Sequence, residues 1–440
     1  MGFVKTIENI WKIEDLRKKI LITFFFVVIY RFGCHVILPG VDPTELENLR
    51  QSASGGLLGL IDMFSGGAFA NASIFALGIM PYISASIVIQ LLGIAIPYFQ
   101  KLQREGESGR TKMNQYTRYL TVIILLFQGP AYLVGALGSA GSNNFFEFLL
   151  PSTIILAGGS MFVLWLGERI TDKGIGNGVS FIILVGILAR LPQSLIFEFS
   201  ARLDNQAGGG LVIFLLEILV LLLIICGAIL LVQGTRRIPV QYAKRVIGNK
   251  QYGGARQYLP LKVNAANVMP IIFAQAIMFL PVTLAQFDTE QTGVLSSLLD
   301  PGSFLYNFIF ALLIIVFTWF YTAVTINPVQ MADDLKRNNG FIPGIKPGKK
   351  TAEYIDQVMS RITLPGSLFL ALVAILPAFA GLFEVSRDFA QFFGGTSLLI
   401  LVGVVLDTLQ QVESHLLMRH YDGLLKSGKI KGRSGSMAAY

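Results

Sequence analysis

The chain has 440 residues, 53% of them hydrophobic and only 14% charged, with a formal net charge of +8 and a mean hydropathy of +0.62. A soluble domain carries about a quarter charged residues, so this composition argues against a water-soluble fold and for lipid contact. Three scattered histidines (His35, His415, His420) lack zinc-ligand spacing. Two cysteines, Cys34 and Cys226, lie in apolar stretches and read as small buried hydrophobes, not as a disulfide framework.

Residues 1–19 are charged and read as amphipathic. The apolar run after them reaches Leu38 without a small-residue cleavage site, so the first helix is expected to stay as an anchor. A helical crossing takes ~20 apolar residues. Ten candidate spans follow in chain order: Ile20–Leu38, Ile74–Ile96, Tyr119–Leu137, Leu149–Leu166, Val179–Leu191, Leu211–Val232, Val268–Leu284, Phe304–Ile326, Leu364–Phe383 and Thr396–Leu409. The fifth and tenth are short for a full crossing, and each follows a glycine-rich segment (Gly174–Gly178, Gly394–Gly395).

The basic residues set the orientation. All but five of the 35 Lys and Arg fall on the side of the N-terminus, the 97–118, 167–178, 233–267 and 327–363 loops and the tail; Arg31, Arg50, Arg190, Arg202 and Arg387 are the rest. Positive loops stay inside, so both termini and the two largest loops are expected to be cytoplasmic. Ten spans also divide into two fives, 1–210 and 211–440. An odd number per half forces the second half to enter from the opposite side, so the expected architecture is all-α, with two inverted five-helix halves around a central path. Pro81 in the second span of one half, and Pro270 and Pro281 in that of the other, fit this pattern.

Enzyme chemistry finds little support. Gly344–Thr351 reads GIKPGKKT, but its glycine spacing is one short for a phosphate loop, and Lys350 follows Lys349 where Ser or Thr belongs. Arg31 and Glu217 are ionisable residues inside spans, functional candidates by default. Both sit in the half of the span nearer the outer face, so snorkelling is the expected account. An inverted-repeat transporter for a small solute is the alternative reading; it calls for a midplane ionic site, which the spans do not display.

Ile61–Leu92 reads IDMFSGGAFANASIFALGIMPYISASIVIQLL, which closely resembles the plug and second helix of the SecY family, the channel subunits of the bacterial protein translocase. GERITDKGIGNGVSFII (Gly167–Ile183), LPLKVNAANVMPIIFA (Leu259–Ala274), FIPGIKPGKKTAEYIDQVMSRITLPG (Phe341–Gly366) and FGGTSLLI (Phe393–Ile400) match in the same order. The resemblance implies a channel that passes unfolded secretory polypeptides and releases membrane segments sideways into lipid. Such cargo varies at every residue, so the constriction must be apolar and compliant, and apolar constrictions gate by dewetting. By resemblance the ring is Ile79, Ile83, Ile183, Ile187, Ile272 and Ile400. Two of these pairs are spaced i, i+4, which shares a helix face, and a β-branch restricts rotamers as a gasket needs.

The resemblance further implies a plug over about 60–72, with Leu60, Phe64, Ser65, Gly66, Gly67 and Ala68. Its glycines lower helix propensity and make it easy to displace. It implies a lateral gate between helices 2–3 and 7–8, where Gln90, Gln128 and Gln275 are the nominated contacts; such hydrogen bonds are worth roughly 1 kcal/mol and break reversibly. The 233–267 loop carries Arg236, Arg237, Lys244, Arg245, Lys250, Arg256 and Lys262 with no Asp or Glu, and Tyr242, Tyr252 and Tyr258 interleave. That surface suits phosphate-rich RNA. Arg361 in MSRIT matches the family's arginine for motor contact, whereas Lys346 stands where many relatives carry Arg, which loses bidentate pairing. Implied partners are SecE, SecG, the motor ATPase SecA, ribosomes, signal sequences, nascent chains and lipid, at a bacterial inner membrane. No cofactor is implied.

Overall fold

The computed structural model describes residues 11, 13–41, 56–135, 148–203, 210–242, 245–247, 250–252, 256–266, 268–285, 302–383 and 385–426. Helix α1 (Glu14–Gly33) opens on Glu14 and Asp15 and closes on Arg31, the charge signs that a helix dipole favours at each end. A short helix, α2 (Gly56–Ser65), precedes a run of turns that leads into α3 (Met80–Ala95). Pro81 sits in the first turn of α3, where its missing N–H costs nothing. Ile96 precedes Pro97, which drives it out of the helical region to φ −109° and ψ 125°. The chain therefore bends by 103° into α4 (Pro97–Arg104).

Three long helices complete the first half, α5 (Glu107–Gly135), α6 (Leu150–Lys173) and α7 (Gly178–Leu203), and α8 (Gly210–Gln233) opens the second. After the 233–267 loop come α9 (Met269–Ala285), α10 (Phe304–Thr325), α11 (Pro328–Arg337), α12 (Lys349–Leu382), α13 (Arg387–Ala390) and α14 (Gly395–Lys426). Each of the ten expected spans overlaps one of these helices, although residues 34–38 of the first and 74–79 of the second lie outside α1 and α3. Among the described residues, seven helices are long and apolar enough to cross a membrane, or eight if the bent α3–α4 pair counts as one. This is a multi-pass membrane protein. The fifth and tenth spans are not short: α7 has 26 residues and α14 has 32. Arg190, Glu198 and Arg202 are carried inside the α7 helix, each with a partner described below.

α7 is the hub. It packs against α1, α2, α6, α8, α13 and α14, whereas α3 packs on α5 and touches α9. α8 is the opposite case, with only Phe214, Glu217 and Ala228 buried. Cys226 lies on its exposed surface, so the expectation of two buried cysteines holds for Cys34 alone. An apolar helix needs no protein cover where lipid tails supply it.

The basic 233–267 loop is not irregular. β1 (Thr235–Tyr242) pairs antiparallel with β4 (Arg256–Lys262), and a hairpin of β2 (Arg245–Ile247) and β3 (Lys250–Tyr252) forms its tip. β5 (Gly340–Phe341), from the next basic loop, pairs with Gln241 and Tyr242 on the other edge of β1. Pro239 is tolerated because β5 stops short of it, leaving no ladder bond to supply on that edge. The alternation in TRRIPVQY turns Ile238 and Val240 inward and Arg237 and Pro239 outward, whereas Arg236 shares the inner parity but is exposed near the start of the strand. Inside, the two isoleucine-and-valine positions meet Leu261, Leu335, Ile342, Ile355 and Met359. The 233–267 and 327–363 loops thus share one apolar core. Asn327 caps α11 by accepting from the N–H groups of Val329 (3.1 Å) and Gln330 (3.2 Å).

Replacing the buried Ile238 by alanine is expected to cost about 2 to 4 kcal/mol locally. Hydrogen exchange should quicken in β1 and also in Lys349–Met359; unchanged protection in the second segment would refute a shared core.

Candidate functional site

α2 carries GLLGLIDMFS, an apolar run broken by Asp62, and it lies end-on against the middle of α7. The contact is backbone on backbone. A Cβ added at Gly66 would lie 2.8 Å from the Cα of Gly186, and one added at Gly186 would lie 2.8 Å from the carbonyl oxygen of Phe64. Gly66 also holds φ +66°, a left-handed conformation in which glycine ends helices at no steric cost. The last carbonyls of a helix need outside donors, and α1 supplies them. Tyr30 Oη donates to Ser65 O (3.1 Å) and Arg31 Nη1 to Gly66 O (2.7 Å).

Asp62 is 1% exposed. One of its carboxylate oxygens accepts from Ala70 N (2.6 Å), and the other pairs with the Arg190 guanidinium of α7. Ser65 Oγ accepts from Phe69 N (3.0 Å), and Tyr132 Oη from α5 donates to Phe69 O (2.9 Å). Leu38 N to Ala72 O (2.9 Å) and Ile74 N to Val36 O (3.0 Å) tie the end of the segment to the chain beyond α1. Buried irregular backbone is tolerated only with its polar groups satisfied in this way.

Four helices bring six isoleucines into one apolar cluster with this segment. Ile79 precedes α3 and Ile83 lies in its first turns; Ile183 and Ile187 are on α7, Ile272 on α9 and Ile400 on α14. Ile79, Ile183, Ile187 and Ile400 are buried, and Ile83 and Ile272 pack against the same cluster, which also takes in Met63, Phe64 and Ala68. The isoleucines and the plug-like segment are one continuous apolar body. Leu60 belongs to α2 by its backbone, and its side chain lies outside the described residues.

Arg31 and Glu217 do not snorkel. Arg31 turns inward to the Gly66 carbonyl. Glu217, on α8, is 5% exposed and meets Arg202 of α7, its Oε1 accepting from Nη2 at 2.7 Å. Arg202 Nε donates to Glu198 Oε1 (3.0 Å), and Glu198 Oε2 accepts from Ser386 N (2.9 Å). Arg202 and Glu198 are 2% and 1% exposed. The cluster joins α7, α8 and the 383–386 segment. Desolvation makes each lone ion far more costly than the set, so they are buried together. The one legible signal was the i, i+4 spacing of Glu198 and Arg202, visible only to a reading that continued the fifth span to Leu203.

A family model for SecY matches residues 73–409. Curated relatives include the protein translocase subunits SecY of Streptomyces coelicolor, 42% identical over 94% of this chain and 98% of the relative, and of Mycobacterium tuberculosis, 42% identical over 97% and 99%. This chain belongs to the SecY family. Solved structures that share the fold include a protein-conducting channel (TM-score 0.62, 16% identity, 94% of this chain and 97% of that one). A second is a SecY structure concerned with how the plug domain stabilises the closed channel and maintains a membrane seal (TM-score 0.62, 18%, 94% and 97%). A third is Sec61 in the canine ribosome–channel complex (TM-score 0.60, 15%, 94% and 97%).

The remaining residues singled out from the SecY resemblance are placed unevenly. Gln90 is half-buried and gives its amide to Ser86 of the same helix (3.2 Å), so it makes no cross-helix bond there. Gln275 is buried on α9 and Gln128 half-buried on α5. Arg236 and Arg237 project from β1, and Arg361 is exposed on α12, two residues beyond Met359 of the shared loop core. Arg245, Lys250 and Arg256 lie on β2, β3 and β4 by backbone, whereas Lys244 falls outside the described residues.

Arg202→Met strands two buried carboxylates and is expected to cost about 3 to 5 kcal/mol. Glu217→Gln keeps an acceptor and removes the surplus negative charge, so it should cost far less. Thermal unfolding in detergent checks this order; equal losses in both variants would refute it.

Proposed function

We propose that this SecY-family chain is the pore-forming subunit of a protein translocase, a protein-conducting channel held here with its path sealed. The observation that carries the reading is the single apolar cluster formed by the six isoleucines and the segment 63–68. Isoleucines contributed by α3, α7, α9 and α14 act as the ring. A ring of aliphatic side chains offers water and ions no compensation for lost hydration, yet it yields to any side chain that is pushed through. The α2 segment with its following turns is the plug, which closes the path on the side away from the basic loops. Residues 1–210 and 211–440 are the two halves between which the path runs.

The plug's attachments are suited to release. The Asp62–Arg190 pair, the Tyr30 and Arg31 bonds and the Gly66–Gly186 contact hold the plug to α1 and α7, and it leaves when these polar links break and its apolar contacts with the isoleucines part. Membrane segments exit sideways between α3–α5 and α9–α10. Support for that gate is the light contact of α3 with α9, together with Gln90, Gln128 and Gln275 in those helices. The basic loops, folded on one core, present Arg236, Arg237 and Arg361 to ribosomal RNA or to a motor ATPase of the SecA type. SecE and SecG are the small subunits expected beside it in a bacterial inner membrane, with both termini cytoplasmic. The channel does no chemistry on its cargo.

Asparagine at Ile83, Ile187 or Ile400 is expected to raise resting ion conductance of the reconstituted channel severalfold, as is Asp62→Asn at the plug. Planar-bilayer currents at wild-type level in all four variants would sink the ring and plug assignments. Reversing Arg236 and Arg237 to glutamate should weaken ribosome binding and flatten its salt dependence. A binding curve measured across a salt series and left unchanged would remove the loop from the contact.

A further inference from the structure

The outer side of the plug borders a cavity of about 530 Å³, with Arg31, His35, Asn71, Arg190, Gln193 and Gln391 among its walls. Two arginines and no Asp or Glu occur among the described residues that line it. Among the described residues, a carboxylate that meets this charge belongs to the plug: Asp62 lies behind the wall, 1% exposed, paired with an Arg190 side chain that keeps 30% of its surface open. Arg31 is likewise held by a plug atom, the Gly66 carbonyl.

We infer that Arg31 and Arg190 are a docking pair for carboxylate side chains of the transported polypeptide, a role for which Asp62 is the resident stand-in. The inference rests on the channel reading above. When the plug leaves, it takes with it both the carboxylate and the carbonyl. Two guanidiniums then face a partly enclosed mouth, where water screens them less than in bulk and field lines concentrate. A guanidinium that has just released one carboxylate is shaped for another, since its planar donors match the two oxygens. Aspartate and glutamate of the emerging chain pass within reach and are held there in turn. Lysine and arginine meet like charge at the same place and are not.

The test uses the complete channel complex in proteoliposomes, with a photo-crosslinking residue at Gln193. Translocation intermediates are stalled with a four-residue cluster at the mouth, either Asp or Asn. Wild type should capture the Asp cargo severalfold more than the Asn cargo, with the ratio falling at high salt. The Arg31→Gln, Arg190→Gln double variant should bring the ratio to one, and Arg190→Lys should keep most of it. Because each ratio is taken within one variant, reduced folding or expression cancels. Equal capture of Asp and Asn cargo by wild type, or a ratio that survives the double variant, overturns the docking pair. Capture of neither cargo by wild type overturns the channel reading itself, and the inference with it.

Discussion

Irregular backbone buried inside a membrane bundle must find a hydrogen-bond partner for its polar groups, because lipid offers none. The stretch from the end of α2 to the start of α3 is built around that constraint. Its carbonyls at Ser65, Gly66 and Phe69 are taken by Tyr30, Arg31 and Tyr132, and Ala72 and Ile74 bond the chain beyond α1. Two helices, α1 and α5, are thereby committed to the same short segment, and the Asp62–Arg190 pair adds α7. The segment proposed as the plug also packs Met63, Phe64, Ala68 and Phe69 into buried apolar clusters, and at Gly66 and Gly186 its backbone lies directly on that of α7.

The same reasoning explains where charge is tolerated in so apolar a protein. Isolated ions inside a membrane are expensive, and pairing with full hydrogen bonding is what offsets the desolvation. Asp62 with Arg190 joins the plug to α7, and Glu198 with Arg202 and Glu217 joins α7 to α8 and to the segment before α13. The first set lies at an element proposed to move, and one partner is partly open to water. The second is almost wholly enclosed and ties α7 to its neighbours on the far side. The helix that carries Arg190 of the first set and Glu198 and Arg202 of the second, α7, also contributes Ile183 and Ile187. A rigid anchorage of α7 at one place and a breakable one at another are both served by arginine–carboxylate pairs that differ in burial.

The basic loops show a third use of packing. Loops of this size would be expected to wander, but alternation in β1 and the apolar face of α12 fold them against each other. Their arginines are then presented from strands and a helix at fixed positions. A surface that must be read by a large partner benefits from such rigidity, because less ordering is left to the moment of binding.

Hydropathy alone made the multi-pass, all-helical character legible, since crossing a bilayer demands length and apolarity in one uninterrupted stretch, and ordered family segments such as Ile61–Leu92 identified the kind of protein. Alternation at Ile238 and Val240 was there to be read and was masked by the density of arginine around it. What no local pattern could disclose was which ions pair. Arg31 finds Gly66, Asp62 finds Arg190, and Glu217 finds Arg202. Each partnership spans residues far apart in the chain, and its worth depends on burial that only the assembled bundle creates. Tertiary structure therefore decided the roles of the charges, because desolvation and distance are properties of the packed helices and not of any one segment.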